Sequence, residues 1–415
     1  MLGTSIAIVY NREKLRRRML FKKDSAAATG DGDFGYLSDK DVYMDVACQS
    51  LRPTVVTEAM QDYYRNFNSC GERVKYDWGL KVDEKVNETR SNLLKLLKCS
   101  PKKYFTSFTL NTTYGLNLIL SQLKADGIDR VITSEIEHNS VFLTTMQLAK
   151  RLDVPREILK RRDDGSVIMN DVDFTNAVVV LNAVSNIDGR QLKNIKEVAD
   201  KTHQGGGIFI VDGAQAMSFY YEMLRGVDFD ALCFSSHKMY GPSLGGIIAR
   251  KSLLDRLQLS VLGGGMVDDV RKNDYILLDE QDEEIHTALE PGLQAYAEII
   301  GLGAAVKWLP KAEKGNHILE YAGKLLDFLN SANGFHALNS ETTQTISFYH
   351  DKVDSNLLSQ AMSDAGIMAR SGHFCCHYYL EHVKKYPALI RLSLGLHNRE
   401  SDIDKFIDTM KGLAQ

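Results

Sequence analysis

The chain lacks any apolar run near the roughly 18 residues that a bilayer-spanning helix needs. Its longest N-terminal candidate, Ile6 to Tyr10, is short and has short flanks, so no membrane role is expected. It also lacks a regular cysteine framework. Cys48, Cys70, Cys99, Cys233, Cys375 and Cys376 are irregularly spaced, and 415 residues are too many to depend on disulfide staples. A reducing, cytoplasmic setting is the expectation. Charge of one sign is missing too: 50 Lys and Arg stand against 54 Asp and Glu, a formal net charge of -4. Nucleic acid is therefore not the obvious partner. Repeats and long low-complexity segments are absent. What remains is the composition of an ordinary globular protein, 44% apolar and 25% charged. Its length exceeds what one hydrophobic core usually serves, so a large domain with a smaller companion is expected.

The N-terminus stands apart. Arg12, Lys14, Arg16, Arg17, Arg18, Lys22 and Lys23 form a basic cluster, followed by the small and polar stretch Ser25 to Asp33. An organellar transit peptide is Arg-rich and acid-poor, but Glu13 interrupts the cluster and no cleavage signal is evident. A solvated helix and linker is the preferred reading. The expected division is an extension over residues 1–42, a large domain over 43–300 and a small domain over 301–415.

From Val42 onward helical and strand-like stretches alternate, as in an α/β protein with a mainly parallel sheet. Val55, Val56, Ala59, Met60, Tyr63, Tyr64 and Phe67 share a helical face behind Pro53. Buried strands are predicted at Tyr104 to Thr109, Arg130 to Ser134, Ala177 to Leu181, Ile208 to Val211, Ala231 to Phe234 and Gly246 to Ala249. Polar clusters follow several of them, and such clusters should converge on one crevice at the strands' carboxyl ends. A helix from Ala295 to Leu309 leads into a compact α+β unit. Its predicted order is strand Thr345 to Tyr349, helix Ser355 to Gly366, strand Leu389 to Leu394 and helix Ser401 to Leu413.

Two strand ends carry chemistry. The run Gly206 to Gln215 ends its apolar part at Asp212, where a held carboxylate could keep a heteroaromatic nitrogen protonated. The strand Ala231 to Phe234 leads into Ser235, Ser236, His237 and Lys238. Taken alone, Lys238 would more often be a solvated loop lysine. At the end of a buried strand, desolvation lowers its pKa and makes the neutral amine available for Schiff-base chemistry.

Ser235 to Pro242 and Val211 to Gln215 resemble the class V aminotransferase family of fold-type I pyridoxal 5'-phosphate (PLP) enzymes, in particular its SufS-like cysteine desulfurases. The resemblance runs in order from about Tyr43 to the C-terminus. It implies the PLP-dependent transferase fold of type I, with a mainly parallel seven-stranded sheet and a smaller α+β C-terminal domain. By the same resemblance Lys238 carries the cofactor as a Schiff base, Asp212 pairs with the pyridinium nitrogen, and Gln215 bonds the phenolic oxygen. His138 is similar to the histidine that stacks on the ring, and Asn186 to the residue that contacts the ring oxygen. Thr112 and Thr113, behind Asn111, open a helix whose N-terminus suits a phosphate, a reading compatible with simple N-capping by Asn111 or Thr112. Ser235 and His237 resemble the other phosphate ligands. Gly205 to Gly207 reads as a helix-end turn with no phosphate role.

The substrate side lies in Ala369 to Cys376 and Ile390 to Ser393. Arg391 and Arg370 suit a carboxylate, which paired hydrogen bonds from arginine hold better than a lysine does. Cys375 lies among basic residues, a setting that favours a thiolate. The resemblance makes it the thiol that takes sulfur from cysteine as a persulfide, leaving alanine. His373, Cys375, Cys376 and His377 invite a zinc reading, but adjacent ligands suit one tetrahedral ion poorly and the Cys-x2-Cys signature is absent. No metal is assigned, and Cys376 reads as structural.

The chain departs from the family pattern at two places. Leu293 stands where Glu290 to Gln294 should carry a threonine that reaches the partner's cofactor phosphate, which affects one contact of the homodimer the resemblance implies. In Gly71 to Tyr76, Arg73 is retained and the family histidines are lost. The expected reaction is conversion of L-cysteine to L-alanine, with sulfur destined for iron-sulfur or other sulfur-cofactor assembly through an acceptor protein. Selenocysteine or sulfinate lyase, epimerase or aminotransferase chemistry would use the same Lys238 and Asp212. A catalytically lapsed PLP-fold subunit is the alternative from another class.

Overall fold

The computed structural model describes residues 32–38, 40–72, 74–278, 285–312 and 317–413. The basic N-terminal cluster and Arg73 lie outside the described residues. Among the described residues no helix is long and apolar enough to cross a membrane.

Strand β1 (Val42–Tyr43) precedes the large sheet. That sheet comprises β2 (Tyr104–Thr109), β3 (Arg130–Ser134), β4 (Arg156–Leu159), β5 (Ala177–Asn182), β6 (Ile208–Asp212), β7 (Ala231–Ser235) and β8 (Gly245–Arg250). Their order across the sheet is β2-β8-β7-β6-β5-β3-β4. Only β8 runs antiparallel to its neighbours, so the carboxyl ends of the other six share one edge. The sheet is apolar on both faces because helices cover both: Val178, Val179, Val180 and Leu181 in β5 are fully buried. Burying each such side chain stabilises by about 1.5–3 kcal/mol.

The hairpin of β9 (Val267–Val270) and β10 (Tyr275–Leu277) stands apart from both main sheets. The second unit is an antiparallel sheet of β11 (Phe335–Ala337), β12 (Thr345–His350), β15 (Leu389–Ser393) and β14 (Arg370–Gly372), in that order. The two-residue β13 (Ile367–Met368) pairs instead with β1, and Asp45 bridges to Ser393. The chain between Val42 and Ala47 therefore packs with the C-terminal unit, and Val42 and Met44 belong to its core.

The predicted strands appear with bounds within one residue of those read from the sequence, and the helix behind Pro53 spans Thr54–Asn66. The helix predicted from Ala295 spans Tyr296–Ala312 and packs against Thr54–Asn66 and Asp77–Leu97. Gly205 caps the helix Ile195–Gln204, and Gly206 turns at φ 74°, as a helix end requires.

A buried ion pair fixes the floor beneath β2. Arg90 donates from both Nη atoms to the Glu290 carboxylate at 2.6 Å, and the Phe108 N–H donates to the same carboxylate. The residues around Glu290 thereby hold β2 against the helix Asp77–Leu97.

Candidate active site

The carboxyl ends of β2, β3, β5, β6 and β7 meet the C-terminal sheet around a cavity of about 270 Å³. All twelve residues singled out from the sequence line it: Thr112, Thr113, His138, Asn186, Asp212, Gln215, Ser235, His237, Lys238, Arg370, Cys375 and Arg391.

Lys238 sits in the short turn after β7, and burial lowers its pKa, with the Asp212 carboxylate opposing and Arg391 adding to the fall. The neutral amine is the form that burial favours. Asp212 closes β6 and accepts from the Ala214 N–H at 2.8 Å. Burial raises its pKa; the Ala214 bond, Lys238 and Ser140 work against that rise. A cation against this carboxylate would restore its charge.

His138 caps the helix Asn139–Leu152, its Nδ1 accepting from the Ser140 N–H at 3.1 Å. Burial depresses its pKa to about 3, with Lys238 and Arg391 adding to the effect. The imidazole is neutral, and its acceptor role at Nδ1 places the proton on Nε2. Ser140 then links His138 to Asp212: its Oγ lies 2.8 Å from His138 Nδ1 and 3.5 Å from Asp212 Oδ2. In the sequence Ser140 is marked by nothing beyond its position at a helix start.

The helix Thr112–Gln122 begins at the same edge. Asn111 accepts from the Tyr114 N–H, and the Thr112 N–H donates to Ser235 Oγ at 3.0 Å. Among the described residues none takes the Thr113 N–H, which is left for an anion at the helix N-terminus. Close approach needs Gly245, because a Cβ there would meet the Asn111 backbone at 2.4 Å. Burial lowers the His237 pKa to about 4, helped by Lys238 and Arg52. Gln215 Nε2 donates to the Ala47 carbonyl at 2.8 Å.

The opposite wall belongs to the small sheet. Arg370 and Arg391 stand directly across from each other in β14 and β15. Arg391 is 3% exposed and donates to Asp45 Oδ1 and to the Asn186 carbonyl, each at 3.1 Å, while its buried Nε has no partner among the described residues. Arg370 Nε donates to Asp45 Oδ2 at 3.2 Å. Asn186 ties the cysteine loop down: its Nδ2 donates to the Phe374 carbonyl at 2.8 Å and its Oδ1 accepts from Cys376 Sγ at 3.0 Å. Cys376 is buried, and burial raises its thiol pKa far above the ordinary range. Cys375 is exposed and adopts φ 58° after Phe374 at φ 49°.

Glu137 is buried, accepting from Ser134 Oγ and from the N–H of Asn182, which lines the cavity. Burial lifts its pKa to about 7 against the pull of Arg161. Neither Glu137 nor Asp45 was singled out from the sequence.

A lysine whose pKa burial lowers, a buried carboxylate opposite it, a neutral imidazole and an open helix N-terminus form the donor set that PLP requires, and the residues fit that group. Solved structures give the fold first. A cysteine desulfurase from Thermococcus onnurineus matches with TM-score 0.82 at 24% identity, over 90% of this chain and 95% of that one. A cysteine desulfurase from Escherichia coli matches with TM-score 0.80 at 23% identity, over 92% and 96%. The architecture is that of the fold-type I PLP enzymes. Residues 42–406 match the class V aminotransferase model, and the chain belongs to that family, whose cofactor is PLP. A protein of Halalkalibacterium halodurans named "Probable cysteine desulfurase" is 29% identical over 88% of this chain and 90% of its own length. The "Cysteine desulfurase" of Haloferax volcanii is 27% identical over 89% and 88%.

Proposed function

We propose that the chain is a PLP-dependent cysteine desulfurase in which Lys238 holds the cofactor and Cys375 takes the sulfur. The observation that carries this reading is the meeting of Lys238, Asp212, Arg391 and Cys375 around one cavity. Bound PLP supplies an electron sink that allows the bonds at Cα and Cβ of an amino acid to break.

The residues divide the work. Thr112, Thr113, Ser235 and His237 would hold the phosphate. Asp212 would keep the ring nitrogen protonated, His138 would support the ring, and Gln215 and Asn186 would supply donors for its oxygen. Arg391, with Arg370 beside it, takes the carboxylate of L-cysteine. Lys238 moves the proton at Cα. The Cys375 sulfur attacks the substrate sulfur, so an S–S bond forms as the substrate C–S bond breaks, giving alanine and a persulfide. An acceptor protein then takes the sulfur toward iron-sulfur or other sulfur-cofactor assembly.

A homodimer fits the surface. Leu293 is 76% exposed and shares a groove with the exposed Tyr64, an arrangement suited to cover by a second copy. The test of the reaction is product analysis with cysteine and selenocysteine. Alanine with sulfide or persulfide from cysteine supports the reading; a keto acid, inverted substrate or no cofactor uptake contradicts it.

A further inference from the structure

The residues flanking Cys375 form a second cluster that the proposed sulfur chemistry does not use. His373, His377 and Glu381 place one ligand atom each within 4.8 Å of one another. His373 Nδ1 already lies 3.4 Å from the Glu381 carboxylate, and the two imidazole rings are 5.5 Å apart, centroid to centroid. In a tetrahedral zinc site, bonds of about 2.0–2.2 Å put ligand atoms about 3.3–3.5 Å apart. The His373–Glu381 separation meets that figure, and the remaining pairs, all within 4.8 Å, exceed it by no more than about 1.5 Å.

Local structure explains the convergence. Residues Tyr378–Val383 form a π-helical turn that begins just after His377, so the four-residue spacing puts His377 and Glu381 on one face. His373 comes over from the other side of the cysteine turn, whose backbone is held by the Cys376 N–H donating to the His373 carbonyl at 2.8 Å. The adjacency that made His373, Cys375, Cys376 and His377 a poor ligand set does not apply, because Glu381 and not a cysteine completes the group. A second cluster, Glu72, His286 and Glu290, carries no such reading, since Arg90 already engages both oxygens of Glu290.

We propose that His373, His377 and Glu381 bind a zinc-class divalent cation that staples the turn carrying Cys375. Two histidines and a carboxylate leave the fourth position open. The ligands lie two residues before, two after and six after Cys375, so the ion cross-links both flanks of the thiol and restricts its movement. The binding site stands on its own geometry; its consequence for sulfur transfer rests on the role proposed for Cys375.

The test uses the holoenzyme without cysteine, so its outcome is independent of turnover. Zinc content after equilibrium dialysis is measured for the wild type and for Cys375→Ser, His377→Ala and Glu381→Gln. One zinc per chain in the wild type and in Cys375→Ser, with affinity at least about tenfold weaker in the other two, supports the site. No stoichiometric zinc, equal binding in all four proteins, or loss only in Cys375→Ser overturns it. Alkylation of Cys375 by iodoacetamide, followed by mass spectrometry, reads the staple. Slower labelling in zinc-loaded wild type, and no zinc effect in Glu381→Gln, is expected; equal rates with and without zinc in the wild type contradict the staple.

Discussion

Asp45 Oδ1 and an Arg391 Nη are 3.1 Å apart at the cavity wall, and the other Asp45 oxygen takes Arg370. One carboxylate therefore offsets one of two facing arginines and leaves a net single positive charge on that wall. Replacing Asp45→Asn keeps the shape and removes that offset. The expected result is a KM for cysteine lowered about threefold, tighter inhibition by L-alanine, and lower thermal stability because two guanidinium groups then face each other. A raised KM with unchanged stability would mean that Asp45 acts only to orient Arg391.

His138 and His237 predict an acid limb in the stability of the cofactor-free protein. Burial depresses their pKa values to about 3 and about 4, against 6.5 when unfolded. The unfolded chain binds these protons first as pH falls. Stability is thus intact above pH 6.5 and declines between that value and about 3, by on the order of a few kcal/mol. Urea unfolding at several pH values should show a shallower decline in His138→Gln than in the wild type. Parallel curves would remove His138 as a source of the slope.

Cys375 and Cys376 are neighbours in sequence with opposite settings. Cys376 is buried, protonated and bonded to Asn186, so Cys376→Ala should cost about 1 kcal/mol of stability and leave persulfide formation near the wild-type rate. Denaturant titration and single-turnover assays check both halves. Loss of persulfide in a folded Cys376→Ala protein would assign that thiol a direct role.

The Arg90–Glu290 pair predicts a large effect away from the chemistry. Glu290→Ala strands a buried guanidinium and leaves the Phe108 N–H unmet, which should destabilise by about 3–5 kcal/mol. Thermal unfolding measures it, and a shift small enough to mean under about 1 kcal/mol would show that water compensates.

The large sheet was legible because its strands are short continuous apolar runs, buried on both faces. Strand β4 was missed because Arg156–Leu159 is a charged edge strand that is only partly buried, and the β9–β10 hairpin because its residues alternate toward solvent without a strong apolar run. The cavity residues were found through strand ends and through family resemblance acting together. Asp45 escaped because it acts by bridging to arginines more than 300 residues away. Ser140 and Glu137 escaped because a serine at a helix start and a glutamate after a strand have ordinary structural readings. His377 with Glu381 was invisible because the spacing gains meaning only on the turn that brings His373 across.

The proposed reaction turns on the passage of substrate sulfur to Cys375. Holoenzyme mixed with L-cysteine in the absence of reductant, then digested and analysed by mass spectrometry, should carry the mass of one added sulfur on the Cys375 peptide. The Cys375→Ser protein should keep its bound, visibly coloured cofactor and gain no sulfur there. Undiminished persulfide in Cys375→Ser, or sulfur found on another cysteine of the wild type in place of Cys375, would rule out transfer to Cys375.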